Sequence, residues 1–292
     1  MNSAMATSEK LKITEYRIES EDGCKISVWR IADEKNVSNC SPAIVYAHGG
    51  AFVLRPVDMN NVDLTRFRIK QLGRGWFAET DVVLFYVSYR LADEKSFPTA
   101  ANDVYAALRW ASANAPSLNI NKDRIGLMGV SAGGNLALTA ALRARDDRLS
   151  LKLCGLMLVY PMLNPDTEWE NHNGSFGISW VKASMEKREL RKAWSKYLAG
   201  ADDLPDEQRK YSKLLLADFT GLPRTYVDVG TQDYFLEEDI QLAEKMKSAG
   251  VNILKKIWEG MPHGFEGKRL PDSKEGEALA IRRDWWAANF RQ

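Results

Sequence analysis

The stretch IGLMGVSAGGNLALTAALRAR, residues 125–145, joins two patterns of different period. Its first five residues form a short apolar run that is typical of a buried strand, and the run from Asn135 onward is apolar on most sides, which predicts a buried helix. Ser131 lies between the two. A sharp strand-to-helix turn brings the backbone close to its neighbours, so Gly129 and Gly133 are needed where a side chain would collide. The stretch therefore predicts a serine that projects above a sheet at the N-terminus of a helix.

Short apolar runs of the same kind recur along the chain. Strands that are apolar on both faces belong to a sheet covered on both sides, and such sheets are usually parallel. The segment ITEYRIESEDGCKISVWRIA instead alternates and carries a turn at residues 21–23, which predicts an antiparallel hairpin at a sheet edge. The predicted strands are AIVYA (43–47), VVLFYVS (82–88), IGLMG (125–129), CGLMLVY (154–160), TYVDVG (225–230) and ILKKIW (253–258).

Helical patterns separate several of these runs. In DVYAALRWASANA, residues 103–115, the apolar residues share one helical face, and Pro116 follows to stop the helix. A second pattern ends at Gly250, where a helix C-cap is expected. The segment from Glu275 to Phe290 predicts a last helix. Alternating strands and helices predict right-handed crossovers and an α/β fold, with helices on both faces of a doubly wound sheet.

One region interrupts the alternation, from Asn164 to about Leu216. It holds tryptophans, many charges and no strand-like run. We interpret residues 164–216 as a helical cap inserted into a core of residues 1–163 and 217–292, with residues 1–11 as a further contributor to the cap. The alternative is a surface helix pair that takes no part in substrate binding. The helical stripe of the insertion consists of Leu190, Trp194, Tyr197 and Leu198.

A glycine pair follows the strand AIVYA directly, in HGGAFVL, residues 48–54. Consecutive glycines allow backbone N–H groups to face a cavity, where they stabilise the negative oxygen of a tetrahedral intermediate. We assign this role to Gly49 and Gly50, together with the N–H of Ala132, which follows the serine. His48 is expected to hold the loop by hydrogen bonds.

A serine hydroxyl is a weak nucleophile near neutral pH and needs a base within hydrogen-bond reach. The chain has three histidines. His48 belongs to the glycine loop, and His172 lies in a polar stretch of the insertion where exposure to solvent is the default. His263 follows the strand ILKKIW and is flanked by glycines, at the edge where open α/β sheets bind ligands. We predict that His263 is the base.

The base needs an acid that fixes its tautomer and stabilises the imidazolium. The segment after TYVDVG offers four acidic residues. Asp233 lies in the loop just after the strand, whereas Glu237, Glu238 and Asp239 fall at or inside the following helix, where acids favour the first turn for dipole reasons. We therefore choose Asp233.

With these residues in place, the sequence resembles the hormone-sensitive-lipase-like branch of the α/β-hydrolases, a family of carboxylesterases and lipases. The order Ser131, Asp233, His263 is the order expected in such enzymes. The resemblance implies an eight-stranded, mostly parallel sheet, a cap over the site, and no metal or organic cofactor. It covers the chain from about Ala43 onward, through HGGAF, YRLADEKSFPTAANDV, GVSAGGNLA, the Asp233 loop and the HGF around His263.

Two positions depart from the usual pattern of that family. Val130 stands where the family usually has an acid before the nucleophile, and Ala51 stands where it often has a third glycine. Neither residue belongs to the predicted triad, and Ala51 keeps its N–H. The departures therefore concern substrate preference more than reaction type.

Composition excludes several classes of function. The 40 basic residues balance 39 acidic ones, so no charge surplus attracts nucleic acid or an anionic membrane. We find no apolar run of signal-peptide or membrane-spanning length, and we expect a cytoplasmic protein. Three cysteines without CxxC spacing are expected to be reduced thiols. A small-molecule partner is favoured, and a homodimer is left open.

We therefore predict a serine hydrolase that cleaves carboxylic esters of small to medium apolar substrates through an acyl-enzyme. One alternative is a tailoring hydrolase of a biosynthetic intermediate, which would act on a lactone, an amide, a formamide or a thioester. Another is a non-catalytic ligand receptor on the same fold, although the presence of His263 argues for chemistry. Aromatic residues proposed to line the pocket, with plain packing as the alternative for each, are Phe52, Trp76, Trp180, Tyr234 and Phe265.

Overall fold

One mixed, eight-stranded sheet organises the described part of the chain, with strand order β1-β2-β4-β3-β5-β6-β7-β8. The computed structural model describes residues 11–38, 40–55, 80–167, 174–175, 187–267 and 272–291. The strands are β1 (Leu11–Glu19), β2 (Lys25–Asp33), β3 (Ser41–Ala47), β4 (Val83–Ser88), β5 (Ile120–Val130), β6 (Leu156–Val159), β7 (Thr225–Gln232) and β8 (Ile253–Pro262).

The two N-terminal strands form the predicted antiparallel hairpin at the sheet edge, with Leu11 paired to Asp33 and Glu19 paired to Lys25. Strand β2 then pairs antiparallel with β4, and the remaining neighbours pair in parallel. The prediction of an α/β fold with a mostly parallel sheet is confirmed.

Helices cover both faces of the sheet. They are α1 (Thr99–Ala113), α2 (Ala132–Asp146), α3 (Lys187–Tyr197), α4 (Asp206–Arg209), α5 (Leu236–Ser248) and α6 (Lys274–Asn289), and short 3-10 turns lie at Ala201–Asp203, Leu214–Leu216 and Phe265–Gly267. Buried side chains of α1, α2, α3 and α5 pack with one face of the central strands. Buried residues of α6, among them Trp285 and Trp286, pack with the other face. Alternate residues of β3 join opposite layers, as the continuous apolar pattern requires.

The predicted insertion contributes described residues on both sides of a gap. Helix α3 buries Leu190, Ala193, Trp194 and Tyr197, so the predicted apolar stripe faces the core. The division into core and cap stays a prediction. Trp76, His172, Trp180 and residues 1–10 lie outside the described residues. In the described part of the chain, no helix is both long and apolar enough to cross a membrane.

Candidate active site

Ser131 occupies the sharp turn between β5 and α2. Its backbone has φ 57° and ψ −124°, a conformation that side chains rarely adopt. A Cβ at Gly129 would lie 2.0 Å from the carbonyl oxygen of Gly133, and a Cβ at Gly133 would lie 2.1 Å from that of Ala47. Both neighbours are backbone atoms that cannot rotate away, so the glycines are required for the reason that the sequence predicts.

Backbone hydrogen bonds hold this turn against the end of β6. The N–H of Ser131 donates to the carbonyl of Val159 at 2.9 Å, and the carbonyl of Ser131 accepts from Gly134 at 2.8 Å and from Met162 at 3.1 Å. Main-chain hydrogen bonds therefore fix the backbone position of the serine.

The structure brings Ser131, His263 and Asp233 together at the carboxyl edge of the sheet. The hydroxyl of Ser131 lies 3.0 Å from Nε2 of His263, and Nδ1 of His263 lies 2.8 Å from Oδ2 of Asp233. All three residues are buried. With the carboxylate ionised, Nδ1–H donates to Asp233 and Nε2 is left to accept from the serine hydroxyl.

Of the four acidic residues that the sequence offers, the structure brings Asp233 to His263. Oδ1 of Asp233 accepts from the N–H of Phe235 at 3.0 Å, which fixes the carboxylate in the loop after β7. Glu238 faces elsewhere, because it accepts from the Leu163 N–H at 2.6 Å and from the Thr167 hydroxyl at 2.9 Å. Burial raises the pKa of Glu238 to about 8. Asp239 is fully buried, and neither of its oxygens has a hydrogen-bond partner among the described residues.

Two aromatic rings flank the imidazole of His263. The ring centroid of Tyr160 lies 4.4 Å away, and that of Phe235 lies 4.9 Å away. Sequence reasoning missed both residues, since Tyr160 ends an apolar run and Phe235 precedes a helix, and neither position carries a motif.

A short piece of the insertion connects the loops that carry the acid and the base. The N–H of Ser175 donates to the carbonyl of Gln232 at 2.7 Å, and the carbonyl of Ser175 accepts from the N–H of His263 at 2.9 Å. A Cβ at Gly174 would lie 2.7 Å from the backbone nitrogen of Tyr234, so this segment, residues 174–175, lies directly on the loop after Asp233. No sequence signal marks it.

His48 holds the glycine loop, as the sequence predicts. Its Nδ1 lies 2.7 Å from the carbonyl of Gly49, and its ring stacks on Tyr89 at 4.1 Å. The Tyr89 hydroxyl donates to the carbonyl of His48 at 2.8 Å. Burial lowers the pKa of His48 to about 3, which keeps the ring neutral near neutral pH.

The glycine loop lies against the serine. A Cβ at Gly49 would lie 3.2 Å from Cβ of Ser131, and Gly50 has φ 130°, a conformation that favours glycine. Among the described residues, no acceptor takes the backbone N–H of Gly49, Gly50 or Ala132. Within the described residues, the assignment of these three N–H groups to an oxyanion hole stays a prediction.

The aromatic residues predicted to line the pocket occupy different environments. Phe52 is fully buried and stacks on Tyr197 of α3 at 3.8 Å, which favours the packing alternative. Phe265 is also buried, against Tyr160 and Trp258. Tyr234 is partly buried beside the 174–175 segment. In the part of the chain that the structure describes, no group of three or more His, Cys, Asp or Glu side chains could hold a metal ion.

Comparison with known proteins identifies the family of the chain. A family model described as alpha/beta hydrolase fold matches residues 44–267, and the chain belongs to this family. The resemblance predicted from the motifs is confirmed.

Several relatives of the chain carry names that include an activity. It is 27% identical to Esterase LipI of Mycobacterium tuberculosis over 78% of this chain and 66% of the relative. It is 28% identical to an arylesterase of Saccharolobus solfataricus over 77% and 68% of the two chains. The solved structure of EstE1, a thermophilic carboxylesterase cloned from a metagenomic library, is 28% identical with a TM-score of 0.73, covering 96% and 89% of the two chains. The chain spans about two thirds of the length of these curated relatives.

Proposed function

We propose that the protein is a carboxylic ester hydrolase that works through an acyl-enzyme on Ser131. The observation that carries the proposal is the continuous pair of hydrogen bonds from Ser131 Oγ to His263 Nε2, at 3.0 Å, and from His263 Nδ1 to Asp233, at 2.8 Å. A nucleophile in reach of a base, and a base oriented by an acid, form the arrangement that acyl transfer requires.

In the first half of the reaction, Ser131 Oγ attacks the ester carbonyl while His263 Nε2 takes the hydroxyl proton. The resulting oxyanion accepts from the N–H groups of Gly49, Gly50 and Ala132. Loss of one such donor typically costs about 10² to 10³ in rate. His263 then gives its proton to the leaving alkoxide, and the acyl group stays on Ser131.

In the second half, water repeats the attack on the acyl-enzyme with His263 again as base. Asp233 keeps its charge throughout and stabilises the imidazolium that forms twice in each cycle. The lowered pKa of His48 keeps its ring neutral near neutral pH, so His48 places no positive charge beside the glycine loop.

We further propose that the substrates are small to medium apolar carboxylic esters. The near balance of 40 basic and 39 acidic residues supports an uncharged substrate, and the esterase and arylesterase names of the relatives support the ester bond.

Hydrolysis of p-nitrophenyl esters of increasing acyl length tests the proposal. We expect turnover of short to medium chains by the wild-type protein and a loss of at least about 10³-fold in Ser131→Ala. Hydrolysis of no member of the series would contradict the substrate class, and equal turnover by Ser131→Ala would contradict the mechanism.

A further inference from the structure

Tyr160 has an unusual backbone conformation immediately after β6. Its φ is 35°, in the left-handed region that a bulky residue rarely adopts. Its N–H donates to the carbonyl of Asp228 on the neighbouring strand at 2.7 Å, which holds the residue there. Strained residues of this kind persist only where their surroundings over-determine them, and they cluster at functional sites.

The side chain of Tyr160 contacts the His263 loop at two points. Its ring lies 4.4 Å from the imidazole, and its hydroxyl donates to Glu266 Oε2 at 2.9 Å. Glu266 follows His263 by three residues, on the turn Phe265–Gly267. The ring therefore touches the base itself, while the hydroxyl holds the chain just beyond it.

Glu266 is fixed from the other side by the C-terminal helix. It accepts from Arg282 of α6, a fully buried residue. Arg282 Nε also donates to Asp228 Oδ2 at 2.7 Å. One cation therefore joins two buried acids, and the cluster links α6, β7 and the His263 loop. Moving the His263 loop away from Arg282 would leave the buried charge of Glu266 without its partner, which is costly.

We infer that Tyr160 is a positioning residue, which holds the imidazole of His263 in the orientation that serves Asp233 and Ser131 together. The inference rests on the proposed function. The ring of Phe235 also contacts the imidazole, with its centroid 4.9 Å away, so two aromatic rings restrict its rotation. Plain packing would give Tyr160 a role in stability alone.

Three variants separate these roles. Tyr160→Leu removes the ring and the hydroxyl, and Tyr160→Phe removes only the hydroxyl. Tyr226→Phe is the matched control, because the Tyr226 hydroxyl donates to the Asp228 carboxylate at 2.8 Å in the same cluster while its ring packs on Trp285.

We expect kcat for p-nitrophenyl acetate to fall by about 10- to 100-fold in Tyr160→Leu, since a misplacement near 1 Å costs rate on this scale. KM should stay within about twofold, because the change affects the base and not substrate contacts. Tyr160→Phe should lose less than Tyr160→Leu because the ring remains. Tyr226→Phe should keep the wild-type kcat. Wild-type kcat in Tyr160→Leu, or a loss in Tyr226→Phe as large as that in Tyr160→Leu, would overturn the inference.

Proton NMR gives a readout that does not depend on turnover. The Nδ1–H proton shared by His263 and Asp233 should give a strongly downfield resonance in the wild type and in Tyr226→Phe. We expect this resonance to broaden or disappear in Tyr160→Leu while the thermal transition stays cooperative. Should the wild type hydrolyse no ester, the proposed function fails. The resonance still decides the role of Tyr160: an unchanged signal in Tyr160→Leu would refute it.

Discussion

Ser131 and His263 are held in position by different kinds of contact. Ser131 is fixed by main-chain hydrogen bonds and by glycines packed at backbone contact distance. His263 is held by side chains of two loops, the one after β6 and the one after β7, and by the backbone of residue 175. The first arrangement leaves a local signature in the sequence, and the second leaves none. The sequence therefore shows how Ser131 is held in place but not how His263 is held.

The acid should give the largest effect. Asp233→Asn places an amide beside Nδ1 and favours the wrong imidazole tautomer, so we expect kcat to fall by about 10⁴-fold. Glu237→Gln, in the same segment but exposed, should change kcat by less than twofold. Steady-state kinetics of the two variants check the assignment. Unchanged turnover in Asp233→Asn would remove this residue from the mechanism.

The second-largest loss of activity should follow from adding a methyl group at the turn that carries Ser131. In Gly133→Ala the new Cβ would meet the Ala47 carbonyl oxygen at 2.1 Å, so the backbone must shift, and we expect activity to fall by about 10²-fold with a lower Tm. Gly250→Ala is the control, with φ 79° but no atom within 4 Å. This variant should lower the free energy of unfolding by about 1 kcal/mol and leave kcat unchanged. Similar activity in both variants would show that close backbone packing does not fix the serine.

Variants in the 174–175 segment test how His263 is held in position. Gly174→Ala would place Cβ 2.7 Å from the Tyr234 backbone nitrogen, which should displace Ser175 from His263 and lower kcat by about tenfold. Ser175→Ala keeps the backbone atoms that make both hydrogen bonds, and it should behave as wild type. The account of this segment would be wrong if Ser175→Ala lost as much kcat as Gly174→Ala.

The smallest effect concerns stability and pH. The pKa of Glu238 is raised from 4.5 to about 8 by burial, so the folded state keeps a proton that the unfolded state releases. Stability is therefore lost as pH rises from about 4.5 to 8. Glu238→Gln removes this dependence, and its Tm relative to wild type should rise by roughly 5 °C across that range. Parallel curves of Tm against pH would contradict the assignment.

Much of the fold follows from sequence because its signals are local. The hairpin, the buried parallel strands and the glycine-flanked serine each depend on the period or spacing of neighbouring residues. The conformation of Tyr160, in contrast, is not predicted by any local signal. The residue terminates the apolar run CGLMLVY, which predicts a strand through Tyr160, yet β6 ends at Val159. The positive φ of Tyr160 follows from contacts with residues far along the chain.

The pocket aromatics illustrate the same limit. Phe52, two residues after the glycine pair, is among the residues predicted to line the pocket. Its ring is enclosed by α3, a helix that begins 135 residues later at Lys187. Which side of a loop residue faces a cavity depends on such distant elements, so the sequence predicts the chemistry of this site better than its shape.

The claim that Ser131 is an activated nucleophile is tested most directly by a fluorophosphonate probe with mass spectrometry of the adduct. We predict one phosphonyl group per chain, located on Ser131, absent in Ser131→Ala and formed far more slowly in His263→Ala. A folded protein that leaves residue 131 unlabelled, as a ligand receptor would, or that labels equally fast without the imidazole, would contradict the account.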